Sequence, residues 1–204
     1  MANDAIALAF TGASGAQYGL RLLEMLLKAE RRVYLMLSKP AQVVIGMETD
    51  LKLPGRAAEL EQFLAQRYGV KSGQLQVFSP EQWTAPVASG SARVAAMVIC
   101  PCSMATLSAV ATGASRSLIE RAADVVIKEH RKLIIVPRET PFSAIHLENM
   151  LKLARLGAVV LPANPGFYHR PASVEDMVDF VVARILDHLD VAHTLVPAWG
   201  ESGD

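Results

Sequence analysis

The stretch Ala5 to Leu27, AIALAFTGASGAQYGLRLLEMLL, constrains the fold of this chain more than any other. A continuous apolar run over Ala5 to Phe10 breaks at Thr11-Gly12-Ala13-Ser14-Gly15 and resumes with apolar side chains at helical spacing, Leu20, Leu23, Met25 and Leu26. That pattern reads as strand, tight turn, helix, with the strand covered on both faces. Ser14 stands three residues before Gln17, the spacing of a capping box, so Ser14 is expected to cap the helix. The free N–H groups and positive dipole end of such a helix, approached across two glycines, make a seat for a phosphate or another anion. A plain crossover that binds nothing is the other reading of the same turn.

The alternation continues along the chain. Strands are expected at Val33 to Leu37, Leu75 to Phe78, Ala95 to Ile99, Leu133 to Val136 and Ala158 to Leu161. Ser38-Lys39-Pro40 can cap a helix over Ala41 to Met47, residues 57 to 67 read as helical, and another helix follows Ser103 to about Thr112. Ser117, with Glu120 completing a capping box, opens a helix to about Glu129; Ser143 to Leu156 and Ser173 to Leu189 are the last two. Pro80 to Arg93 and Pro162 to Pro171 are too rich in Pro, Gly and Ser for either pattern and read as loops. The expected fold is therefore α/β: a single doubly wound, mostly parallel sheet, Rossmann-like or flavodoxin-like, in three layers. With 204 residues there is room for one such domain, assigned to 1–190, and a tail, 191–204, expected to pack on a neighbouring subunit or a site. Ligands of such sheets bind outside the carboxyl ends of the strands, which here carry Thr11 to Ser14, Ser38, Ser103 to Thr106, Arg138-Glu139 and the Tyr168 loop.

Composition narrows the function. Formal net charge is zero and no basic run stands out, so there is no electrostatic footprint for nucleic acid or an anionic membrane. The apolar runs stop well short of the roughly 18 residues a spanning helix needs, and the first residues lack a basic segment followed by an apolar one; a cytoplasmic protein is expected. The two cysteines, Cys100 and Cys102, are spaced too tightly for an ordinary disulfide and read as reduced and structural. The five histidines, His146 and His169 among them, show no metal-ligand spacing, and no metal is expected. The second strand ends in Ser38-Lys39 and not in an acid, and there is no Tyr-x-x-x-Lys pair. Both points argue against a nicotinamide dehydrogenase, while the hydroxyls and backbone N–H groups at three strand ends, with few acids at the first two, suit one phosphate with a planar polar head group, such as flavin mononucleotide (FMN).

Several motifs taken together carry a resemblance. TGASGAQYG from Thr11, SK at Ser38, ETD at Glu48, PCS at Pro101, ERAADVVIKE at Glu120, PRETP at Pro137, GFYHRP at Gly166 and VARILD at Val182 resemble, in order, the flavin prenyltransferase family. The resemblance implies metal-independent transfer of a dimethylallyl group from dimethylallyl monophosphate to N5 and then C6 of reduced FMN. The prenylated FMN would serve a UbiD-type decarboxylase in ubiquinone biosynthesis. It also implies a homododecamer with active sites shared between subunits. Family positions for FMN fall on Gly12, Ala13, Ser14, Ser38, Ser103, Met104, Ala105, Thr106 and Arg138. Those for the allylic phosphate fall on Tyr168 and Arg184, with Lys128, Arg138 and Glu139 completing the pocket.

Those residue types suit the chemistry. With no metal, cations must hold the departing phosphate, and Lys128, Arg138 and Arg184 are of that kind. Glu139 could give the leaving phosphate a proton, Glu48 with Ser14 could take the protons lost from N5 and C6, and the rings of Tyr168 and Trp199 could face an allyl cation. Each has a bland alternative. Lys128 and Arg184 could be solvated helix residues, Arg138 and Glu139 a surface pair, Glu48 a surface acid, Tyr168 loop packing and Trp199 a tail anchor. A phosphopantothenoylcysteine-type flavoprotein decarboxylase and a non-catalytic flavin carrier are the competing functions.

Overall fold

A computed structural model describes residues 5–197. Six parallel strands, β1 (Ala5–Phe10), β2 (Val33–Leu37), β3 (Leu75–Phe78), β4 (Val94–Cys102), β5 (Lys132–Pro137) and β6 (Val159–Val160), form one sheet in the order β3-β2-β1-β4-β5-β6. The helices between them are α1 (Ala16–Lys28), α2 (Lys39–Glu48), α3 (Ala57–Tyr68), α4 (Met104–Ala111), α5 (Leu118–Lys128), α6 (Ala144–Arg155) and α7 (Val174–His188). The doubly wound sheet is as expected, and every strand pair in it is parallel.

The two-residue period of the strands builds the layers. Ile6, Leu8 and Phe10 of β1 pack with Leu22, Leu23 and Leu26 of α1 and Val181, Val182 and Ile185 of α7. The intervening Ala5, Ala7 and Ala9 face the opposite way, towards Leu107 of α4, Leu118 and Ala122 of α5 and Leu153 of α6. With β1 buried along its whole length, its side chains on both faces are apolar, which is why the run shows no alternation in sequence.

Several local expectations are corrected. β4 continues past Ile99 to Cys102, carrying Pro101 through a register irregularity, because Cys102 regains pairing with Pro137 of β5. Ser117 does cap α5, but the Glu120 carboxylate accepts from Arg116 N at 2.7 Å and does not return to the cap residue, so the box is open. Reciprocal boxes occur instead at α6, between Ser143 and His146, and at α7, between Ser173 and Asp176. Cys100 and Cys102 are free and buried, and burial drives both thiols far above their ordinary pKa, leaving them inert. Among the described residues no helix is long and apolar enough to cross a membrane.

Candidate active site

β1 and β4 are the neighbours at which the strand order reverses, and polar groups tie their carboxyl ends together. Thr11, 2% exposed, donates from Oγ1 to the Pro101 carbonyl at 2.9 Å and accepts there from Ser103 N at 2.7 Å. Ser103 is the N-cap of α4; its Oγ accepts from Thr106 N at 3.4 Å and lies 3.2 Å from Thr106 Oγ1. Thr11 thus fixes the residue from which α4 departs. Ser38 repeats the arrangement one strand over, capping α2 through Ala41 N at 3.1 Å while its own N–H donates to Phe10 O at 3.0 Å. Neither α2 nor α4 has an acid in its first turn, so both present a positive helix end and a hydroxyl towards the crevice. That donor set, with the N–H groups of Met104 and Ala105, fits a single phosphate. Ala13 is buried in the turn, and a Cβ on Gly12 would lie 2.5 Å from Pro40 Cβ, so only glycine lets α2 approach this closely.

Replacing Thr11 by Val leaves the Ser103 N–H without its acceptor. The expected cost is about 1–3 kcal/mol of folding stability, with Thr11→Ser retaining most of it. Thermal unfolding of the two variants checks this, and equal melting temperatures would remove the hydroxyl from the account.

The first helix departs from expectation in an instructive way. Its N-cap is Gly15, at φ 102°, which has no side chain of its own to cap the helix. Ser14 is therefore not a capping residue, and the Ser14–Gln17 box does not form. The seat at the α1 N-terminus is taken by Glu48, the last residue of α2, whose Oε2 accepts from Gly15 N and Ala16 N, both at 2.9 Å. An external anion is consequently not needed there, whereas the starts of α2 and α4, beside the strand switch, can receive one. Ser14 instead bonds its hydroxyl to the Glu48 carboxylate, while its carbonyl accepts from Arg138 Nε at 3.3 Å. Partial burial pushes the Glu48 pKa up, but the Ser14 hydroxyl, the Ala16 and Gly15 N–H groups and the Arg138 charge together bring it below the ordinary carboxylate value. Ser14, Glu48 and Arg138 therefore form one bonded cluster beside the strand switch, with Glu48 ionised at neutral pH. Glu139, next along, accepts from its neighbour Thr140 N at 3.1 Å.

The other expected phosphate ligands lie elsewhere in the same chain. Lys128 ends α5, four residues before β5 begins, whereas Arg138 follows the end of β5. A six-residue strand separates their levels by about 20 Å. Lys128 pairs with Glu129 beside the loop at Gly90, where an added Cβ would lie 3.1 Å from Lys128 Nζ. Arg131 holds that loop through Ala92 O at 2.9 Å and Gly90 O at 2.7 Å, and Arg121 through Ala88 O at 3.1 Å. The sequence reading missed Arg121, although it stands seven residues before Lys128 and so shares its helix face.

Tyr168 and Arg184 come together in a third place, a cavity of about 1070 Å³ along α7, with Phe180, Asp187, His193 and Val196. The end of α7 reaches the start of β5, where Lys132 Nζ donates to His188 O, so Arg184 lies one turn from the amino edge of the sheet. Trp199 falls outside the described residues. Among the described residues no group of three or more His, Cys, Asp or Glu is placed to hold a metal ion.

Known proteins resemble this chain along nearly its whole length. The family model described as "Flavoprotein" matches residues 1–186. "Flavin prenyltransferase UbiX" from Pseudomonas aeruginosa is 61% identical over 198 residues, 97% of this chain and 95% of that protein. A crystal structure described as AnUbiX (PadA1) in complex with FMN and dimethylallyl pyrophosphate superposes with a TM-score of 0.86 at 37% identity, covering 98% of this chain and 100% of that one. A dodecameric FMN-dependent Ubix-like decarboxylase from Escherichia coli O157:H7 gives 0.81 at 39% identity, covering 92% and 96%.

Proposed function

The chain belongs to the flavoprotein family and, within it, to the flavin prenyltransferases, and on that premise we propose that it transfers a dimethylallyl group from dimethylallyl monophosphate to N5 and then C6 of reduced FMN. The observation that carries the reading is the bonded cluster of Ser14, ionised Glu48 and Arg138 at the strand switch, flanked by two acid-free helix starts. FMN, when bound, supplies the nucleophilic N5 and C6 positions. Gly12 and Ala13 would face its ring system, and Ser38 and Ser103 to Thr106 would hold its phosphate. Arg138 would stand between the flavin and the donor.

The chain's own residues account for charge and protons. As the allylic C–O bond breaks, the electron pair leaves with the phosphate, and Arg138, Lys128 and Arg184 balance that charge. Glu139 would relay a proton from solvent to the departing phosphate. The face of Tyr168, with that of Trp199, stabilises positive charge on the allyl carbon by about 0.5–2 kcal/mol per ring. Glu48, ionised and partnered by the Ser14 hydroxyl, would accept the protons that leave FMN as it is alkylated, releasing the first to solvent before it takes the second.

Because Lys128, the Arg184 cavity and the Ser14 cluster occupy separate parts of one chain, we assign the complete pocket to several subunits. The assembly would be a homododecamer like that of the E. coli relative. The protein would act in the cytoplasm and pass prenylated FMN to a UbiD-type decarboxylase.

Mass spectrometry of the flavin after anaerobic incubation with reduced FMN and the monophosphate tests this. The expected product is FMN heavier by one dimethylallyl unit, formed in the presence of chelator. A carrier would return the flavin at its original mass. Carbon dioxide release from phosphopantothenoylcysteine would mark a decarboxylase. Parallel runs with the pyrophosphate, the ligand named for the AnUbiX structure, separate the two donors.

A further inference from the structure

The segment after α7 folds back on its own helix and ends in a short relay of hydrogen bonds. Leu195 N donates to His193 Nδ1 at 3.4 Å, which makes that nitrogen an acceptor and places the ring proton on Nε2. His193 Nε2 then meets Asp187 Oδ1 at 2.9 Å, and the other oxygen of the same carboxylate, Oδ2, accepts from Arg184 Nη1 at 2.5 Å. The His193 side chain is only 9% exposed, whereas those of Arg184 and Asp187 are about half exposed. The relay thus has a buried anchor and an open end, and the open end lines the cavity that Tyr168 and Phe180 also wall.

An arginine on a helix surface samples many rotamers, and an exposed ion pair alone restrains it weakly. A carboxylate fixed from behind by a buried imidazole restrains it more, because the second oxygen can no longer swing away. This is how outer residues orient a ligand-binding group at other sites. We propose that Asp187 and His193 are positioning residues that hold the Arg184 guanidinium towards the phosphate of the allylic donor. The inference rests on the placement of Arg184 at that phosphate under Proposed function. Leu195, partly buried against the core beneath α7, carries the restraint into the fold.

The test uses the assembled, FMN-loaded protein with the flavin oxidised, so that donor binds without turnover. The dissociation constant of dimethylallyl monophosphate is measured by calorimetry for the parent, Arg184→Ala, Asp187→Asn, His193→Phe, His193→Gln and the Arg184→Ala/Asp187→Asn pair. The expected result is weakening of about 10- to 100-fold for Arg184→Ala and about tenfold for Asp187→Asn and His193→Phe. His193→Gln, which keeps a donor near the Nε2 position, restores most of the affinity, and FMN binding is unchanged throughout. Asp187→Asn adds nothing once Arg184 is gone, the signature of a group acting through another. If Arg184→Ala weakens binding while Asp187→Asn does not, or if the two losses add, the positioning role is wrong and the placement of Arg184 survives. If Arg184→Ala itself binds the donor as the parent does, the placement fails and the positioning role goes with it.

Discussion

Glu48→Gln should load FMN as the parent does and yet prenylate it about 10²- to 10⁴-fold more slowly, the range general acid–base groups contribute. The amide keeps the shape of the side chain but takes no proton and cannot accept from Gly15 N, Ala16 N and the Ser14 hydroxyl as a carboxylate does. Single-turnover rates with preloaded reduced FMN give the chemical step directly, and an unchanged rate would remove Glu48 from the proton path. The substitution also has a pH signature independent of turnover. The folded-state pKa of Glu48 lies below its unfolded value, so its stabilising contribution is complete above the ordinary carboxylate range and is lost as pH falls through the folded value. The parent should therefore lose melting temperature in acid more steeply than Glu48→Gln, while near neutrality the parent is the more stable. Parallel curves for the two proteins would mean that the carboxylate contributes nothing at the α1 N-terminus.

That terminus also shows what a sequence discloses and what it hides. Ser14 satisfies the local rule for a cap, but Gly15 takes the left-handed conformation at the N-cap, and a carboxylate 33 residues away in the chain occupies the N–H groups. Capping boxes are read from spacing alone, and a competitor from another helix leaves no trace in that spacing. Ser38 and Ser103 followed the rule because each is set at the end of a fully apolar strand and faces no such competitor. Strand ends are legible because apolar runs stop there, and this is why Gly12, Ser38, Ser103 and Arg138 could be placed at one edge of the sheet. Lys128 and Arg184 were a different matter. Motif order says nothing about which end of the sheet a helix residue occupies, and topology sets α5 and α7 running back from the crevice before those residues are reached. His193 was equally invisible, since its role depends on a reverse turn that returns it to Asp187.

The separation of Lys128 from Arg138 leads to the sharpest expected result, recovery of activity by mixing two inactive proteins. Within one chain the two cations lie at opposite edges of a six-residue strand, so a phosphate held by Arg138 cannot reach the same chain's Lys128. If both serve one phosphate, they come from different subunits. Removing either charge from a transition state that builds charge on phosphate should lower the rate about 10²- to 10³-fold. Lys128→Ala costs little else, because its pair with Glu129 is partly solvent exposed. Arg138→Ala also frees the Ser14 carbonyl, so FMN loading is measured alongside its rate. When the two variants are co-expressed with different tags and assemble at random, about a quarter of the sites receive an intact Lys128 from one chain and an intact Arg138 from the next. The mixed oligomer should then run at roughly that fraction of the parent rate, far above either pure variant. Sites built within one chain would give a mixture no faster than its components, since every chain then carries a lesion in its own pocket. The rate of the doubly tagged fraction therefore decides whether the cationic pocket belongs to one chain or to the contact between chains.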